Sequence, residues 1–218
     1  MKPRVSNQKA AALTLMEVLV VIAILAVIAA LLLPALAAAK RKTARIGCVN
    51  NLKQIGLSFR LWEGDNGDKY PMSVSVTNGG TMELAAGTNA WISFLVMSNQ
   101  LSTPKVLHCP EDTNSFAADN FSSGFNHRNI SYFVSLDASE SDSQALMSGD
   151  DNFEVGGVPV NSGLLNLVSN TPIAWSAARH HFAGNVAIAD GSVQSFSNAG
   201  LTNWLSQTGL VTNRLAIP

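Results

Sequence analysis

The chain has 218 residues, enough for one head domain and a long helix but too few for two full enzyme domains. Net charge is −1, so overall charge names no partner. Its distribution is uneven: residues 61–218 hold five basic against fourteen acidic residues, a net charge of −9, which argues against nucleic-acid binding by that part of the chain.

Residues 1–12 carry Lys2, Arg4 and Lys9 and no acid. From Val18 to Ala39 there are 22 residues without a charge, built from Leu, Val, Ile and Ala with Pro34 as the one breaker. At about 1.5 Å per residue this run spans about 33 Å as a helix, enough to cross a bilayer core. A secretory signal peptide is the competing reading, because a basic segment precedes the run. The run is longer than an ordinary signal core, its helical pattern continues into 43–62, and an acid, Glu17, stands at its front edge. A carboxylate costs about 2.5–3.5 kcal/mol to insert at the centre of a span, so one within or near hydrocarbon normally has a partner.

The stretch Ala12-Leu13-Thr14-Leu15-Met16-Glu17-Val18-Leu19-Val20-Val21-Ile22 resembles the N-terminus of type IV pilins and type II secretion pseudopilins, the major pseudopilin G-like proteins among them. The resemblance implies cleavage by a prepilin peptidase between Ala12 and Leu13, with Leu13 the first mature residue, N-methylated as in the family. Glu17 is then fifth and Pro34 twenty-second, where many members carry a proline that bends or locally melts the helix. Ala12 departs from the glycine usual before the cut. In a filament, the Glu17 carboxylate of one subunit would meet the Leu13 ammonium of a neighbour; pairing offsets part of the cost of burying both and fixes register. The alternative is a Glu17 solvated at the membrane interface. Charge does not settle orientation: three basic residues precede the span, and Lys40, Arg41, Lys42 and Arg45 follow it.

Beyond the span, Ile46, Val49, Leu52, Ile55, Phe59 and Trp62 recur at helical spacing. They predict an amphipathic continuation over 40–62 packed against a head. Glu63-Gly64-Asp65-Asn66-Gly67-Asp68 reads as a helix stop. A calcium loop there lacks the final glutamate of an EF-hand, so no cofactor is expected. Cys48 and Cys109 fit no metal or redox spacing. A disulfide between them is allowed if the head lies outside the cytoplasm, with two unpaired thiols as the alternative.

Residues 72–90 and 111–170 are rich in Ser, Asn, Gly and Asp and read as loops with short strands, such as 131–136. Asp150-Asp151 reads as a solvated loop pair. Near the C-terminus, Asn185–Ala189 and Ser192–Phe196 alternate about Asp190-Gly191, a hairpin signal. Nine residues separate His180 from that turn dipeptide, and His181 follows His180 directly. With Cys48-Val49-Asn50-Asn51-Leu52-Lys53-Gln54-Ile55-Gly56, Tyr70-Pro71 and Cys109-Pro110, this H-x9-DG pattern is similar to a group of large-headed pilin-like proteins of planctomycetes and verrucomicrobia. A His180–Asp190 pair could serve acid–base chemistry, and His180 with His181 could bind a metal, but no nucleophile and no third ligand is evident. A structural role is expected: His180 bonded to backbone, Asp190 and Gly191 shaping the turn. Residues 201–210 predict a short docked helix.

The sequence thus predicts an α+β, pilin-like protein with a small antiparallel sheet and a helix half in the membrane. Its parts are a leader at 1–12, a membrane and filament-core helix at 13–39, its continuation at 40–62 and a head at 63–218. The expected function is structural rather than enzymatic. It is that of a subunit of a secretion pseudopilus or type IV-like filament, drawn from the inner membrane with its head in the periplasm or outside. Expected partners are like subunits, the prepilin peptidase, the assembly platform with its ATPase, and lipid, but not nucleic acid. The rival is a membrane-tethered binding or hydrolytic head behind an uncleaved anchor.

Overall fold

A computed structural model describes residues 14–85, 89–122, 124–168, 170–207 and 211–218. Ala12 and Leu13, with Lys2, Arg4 and Lys9, lie outside the described residues. The chain divides into two compact units, residues 1–42 and 43–218, and the helix α1 (Leu15–Asp65) contributes to both.

In the first unit every described residue is exposed, and α1 is long and apolar enough to cross a membrane. The start of α1 is locally encoded. Thr14 Oγ1 accepts the Glu17 N–H at 3.3 Å, while Glu17 Oε2 accepts from Thr14 N at 2.8 Å and from Thr14 Oγ1 at 2.9 Å. This is a capping box, in which two otherwise unpaired N–H groups are satisfied reciprocally. Pro34 lies inside α1 and removes one backbone donor, yet the helix is unbroken there, so no local melting accompanies it.

In the second unit α1 buries Cys48, Leu52, Ile55, Phe59 and Trp62. The expected stripe is corrected at its start. Ile46 is exposed and Val49 only half buried, and Cys48 takes the first core position. Each large apolar side chain on this face is worth about 1.5–3 kcal/mol when fully buried. The helix stops where Gly67 and Asp68 take φ of 67° and 57° and Asn66 Nδ2 donates to Trp62 O.

The core lies on both faces of a six-stranded antiparallel sheet ordered β5-β9-β1-β2-β7-β8. These strands are β1 (Tyr132–Ser135), β2 (Leu146–Asp150), β5 (Gly163–Val168), β7 (Ala183–Ile188), β8 (Val193–Ser197) and β9 (Thr212–Ile217). Alternation divides their side chains. Tyr132, Val134, Met147, Ala187 and Ala216 pack with α1 and with α2 (Ala90–Val96). Phe133, Leu146, Val186, Ile188 and Leu215 pack on the other side. That second layer is a three-stranded sheet, β4-β3-β6, of β3 (Phe153–Val155), β4 (Val158–Pro159) and β6 (Ile173–Trp175). A helix, Asn198–Gln207, completes it with Leu201 and Leu205. The layers meet closely: a Cβ on Gly184 would lie 2.5 Å from the Trp175 ring.

Candidate functional site

Three dipeptides from distant parts of the chain converge beside the β2 terminus: Glu111-Asp112, Asp150-Asp151 and Arg179-His180. In each acidic dipeptide one member, Glu111 or Asp150, faces His180 and the other, Asp112 or Asp151, faces Arg179.

On the first side His180 has a fully buried side chain. Its Nδ1 lies 3.0 Å from Glu111 Oε2, at ion-pair distance but off the N–H axis, so it makes no aligned hydrogen bond. The same Oε2 accepts the His180 backbone N–H at 2.8 Å. Nε2 lies 3.4 Å from Asp150 Oδ2 and 3.4 Å from Cys109 Sγ. Asp150 is fully buried. Its Oδ2 accepts from Asn185 N at 2.7 Å and Asn185 Nδ2 at 2.9 Å, while Oδ1 has no partner. Burial pushes the neighbouring Tyr132 phenol well above its usual range, and the Asp150 charge adds to that. Cys109 is joined to Cys48 of α1 as a disulfide, with Cα atoms 5.4 Å apart. Cys48, Cys109, Asp150 and His180 bring one ligand-type atom each within 4.8 Å of one another, all buried.

On the second side the Arg179 guanidinium donates to Ser131 O at 3.0 Å and pairs with Asp112 at 3.4 Å and with Asp151. Asp112 Oδ2 also accepts from Ser115 Oγ at 2.6 Å and Ser131 Oγ at 2.7 Å. Burial alone would raise the Asp112 carboxyl. The Arg179 charge, the two hydroxyls and the Asn114 N–H outweigh it and hold the carboxyl below its usual range. A cavity of about 400 Å³ opens here, lined in part by Asp112, Ser115, Asp151, Asn152, Ser176 and Arg179. Asn152 Oδ1 is buried without a partner, although Nδ2 donates to Ser176 O and Arg179 O.

Two expectations are overturned. Asp150-Asp151 is not a solvated pair: the first is fully buried and the second is ion-paired. The His180 side chain is not bonded to backbone; it faces two carboxylates and a sulfur. The segment that delivers it is strained, with φ of 52°, 50° and 60° at His180, His181 and Phe182, none of them glycine. His181 is exposed and joins no cluster. Asp190 is exposed as well, and its Oδ1 accepts Ser192 N at 2.7 Å while Gly191 takes φ of 87°, which sets the turn. Next to it Ala189 O accepts from Arg60 of α1 at 3.1 Å. Both ends of β7 are therefore tied to α1, one through His180, Cys109 and Cys48, the other through Arg60. Glu111, Cys109 and Asp150 carried no spacing signal that linked them to His180.

The molecule is an α+β protein with an apolar N-terminal helix and a sheet-based head. No family model, curated protein or solved structure matches the chain.

Proposed function

We propose that the chain is a pilin-like structural subunit, cut by a prepilin peptidase between Ala12 and Leu13 and assembled from the inner membrane into a pseudopilus or type IV-like filament. One observation carries the reading: a helix exposed along its whole apolar half, with a single acid, Glu17, at its front edge. An apolar surface of that extent needs lipid before assembly and neighbouring helices after it. Glu17 caps its own helix through Thr14, and in the processed chain it also stands four residues from the new Leu13 ammonium. Catalysis belongs to the peptidase and the assembly ATPase.

Glu17→Ala tests this reading. Membrane insertion persists and filament incorporation is lost. Wild-type incorporation of the variant would overturn the role of Glu17, and no incorporation of either form would overturn the filament reading. The polar cavity beside Arg179 favours a second reading, a tethered head that binds an extracytoplasmic ligand. N-terminal sequencing of the membrane-extracted protein separates them: a start at Leu13 supports the filament, a start at Met1 the uncleaved anchor.

A further inference from the structure

Around His180 Nε2 the chain places only electron-pair acceptors. Asp150 Oδ2 and Cys109 Sγ each lie 3.4 Å away, Cys48 Sγ is bonded to Cys109, and Asp150 Oδ1 is buried without a partner. Asn185 donates twice to Asp150 Oδ2 from the far side, and Asp150 Oδ1 receives nothing. Such a convergence is completed by a proton or by a cation. The two buried sides of the site together hold Glu111, Asp112, Asp150 and Asp151 against the single guanidinium of Arg179, so positive charge is what the cluster lacks.

From this geometry we propose that, when Cys48 and Cys109 are thiols, they bind one soft divalent cation such as Zn²⁺ together with His180 Nε2 and Asp150. Metal and disulfide are then alternative occupants of the same place. Two thiolates, an imidazole and a carboxylate are a donor set that tetrahedral zinc accepts. The edge of a tetrahedron with Zn–S and Zn–N bonds of about 2.3 and 2.0–2.1 Å is about 3.3–3.7 Å. The His180–Asp150 and His180–Cys109 separations of 3.4 Å already have that length. The two bonded sulfurs must move apart, and the remaining separations, all within 4.8 Å, must settle to the same edge length. The surroundings are those of a metal site. Glu111 lies 3.0 Å from Nδ1, where a small rotation of the ring would let its carboxylate accept from Nδ1–H and leave Nε2 free to bind, and Asn185 fixes Asp150 Oδ2 with two hydrogen bonds. Each thiol loses its proton on binding, so one Zn²⁺ displaces two protons. Oxidation by a disulfide-bearing thiol oxidase forms the Cys48–Cys109 bond, passes two electrons to that disulfide and ejects the Zn²⁺. Both states link α1 to the loop at 109; in the metal state a coordinate bond replaces the 3.4 Å contact that holds the strained turn at 180–182.

The test uses the full chain in detergent, reduced with a phosphine, dialysed against buffered Zn²⁺ and analysed for bound metal, beside the oxidised chain. The reduced chain retains one Zn²⁺ and the oxidised chain none. X-ray absorption of the wild-type zinc form reads two sulfur and two nitrogen or oxygen neighbours, and Co²⁺ in its place shows the intense visible bands of a tetrahedral thiolate site. His180→Gln and the Cys48→Ser/Cys109→Ser double variant lose retention. Glu111→Gln weakens it about 10–100-fold, the usual effect of removing a residue that supports a ligand. No zinc in the reduced wild type, a shell without two sulfurs, or retention unchanged in a folded His180→Gln chain would each overturn the proposal. The spectroscopic arms use the wild type, so a variant that fails to fold does not remove the test.

Discussion

Arg179 holds two carboxylates and a backbone carbonyl at once. Its guanidinium is the only cation facing Asp112 and Asp151 among the described residues, and both pairs are largely out of water. Replacing it with Met keeps the volume and strands two buried charges, which costs about 3–5 kcal/mol when one partner of a buried pair is removed. The urea midpoint of the head falls accordingly, whereas Arg179→Lys, which keeps a charge but not the planar fork, loses only part of it. Asp112 gives this cluster a pH signature. Its folded-state pKa is lowered from the ordinary 3.8, so the stabilisation it contributes is present above that value and is lost as pH falls through the lower, folded-state value. Acid unfolding followed by near-UV circular dichroism therefore shows a loss below about pH 4 that Asp112→Asn reduces. If Asp112→Asn leaves the acid limb unchanged, another carboxylate governs it.

At the scale of elements, legibility follows from how many faces an element buries. Over 52–62, α1 buries one stripe, so its helical period is visible in the sequence; β7 and β8 announce their hairpin through Asp190-Gly191. The central strands hide because both of their faces are covered. Every residue of β2 is buried, so alternation gives no signal, and Ser148, Gly149 and Asp150 are poor strand formers. Likewise β9 pairs with β5 and β1, which precede it by more than 40 residues, and no local rule connects them. The His180 site was hidden for the same reason, since its groups come from α1, the 109–111 loop, the end of β2 and a strained turn. Gly184 tests the tight layers. A Cβ on Gly184 would lie 2.5 Å from the Trp175 ring, and Trp175 is itself stacked on Phe153 with ring centroids 4.5 Å apart, so neither can withdraw freely. Gly184→Ala destabilises the head by about 1–3 kcal/mol, the range for overpacking a filled core, measured by urea unfolding. Removing the disulfide tests the tie between α1 and the head. It closes a loop with a sequence separation of 61, and Cys48→Ala/Cys109→Ala costs about 4 kcal/mol on the chain-entropy account.

For the whole molecule, the division at residues 42 and 43 separates two environments. Every described residue from 14 to 42 is exposed, whereas the core is drawn from residue 48 onward. Folding of the head therefore owes its apolar burial to residues within 43–218, and residues 14–42, exposed and apolar enough to cross a membrane, add none to the core. A fragment of residues 43–218 keeps Cys48, the α1 face at Leu52, Ile55, Phe59 and Trp62, and both sheets. It loses at most the continuation of α1, whose new first turn frays ahead of the disulfide at Cys48. Produced in an oxidising compartment, this fragment is water-soluble and unfolds in one cooperative urea transition. Its midpoint corresponds to within about 0.5 kcal/mol of the full chain in detergent, the scatter expected when distant parts contribute independently. The full chain, with its apolar segment uncovered, requires detergent or lipid under the same conditions. A fragment that is unfolded, or that gains stability when the segment 14–42 is restored, would mean that the apolar half packs on the head. The helix would then not be free for lipid or for neighbouring subunits, and the filament reading would fail with it.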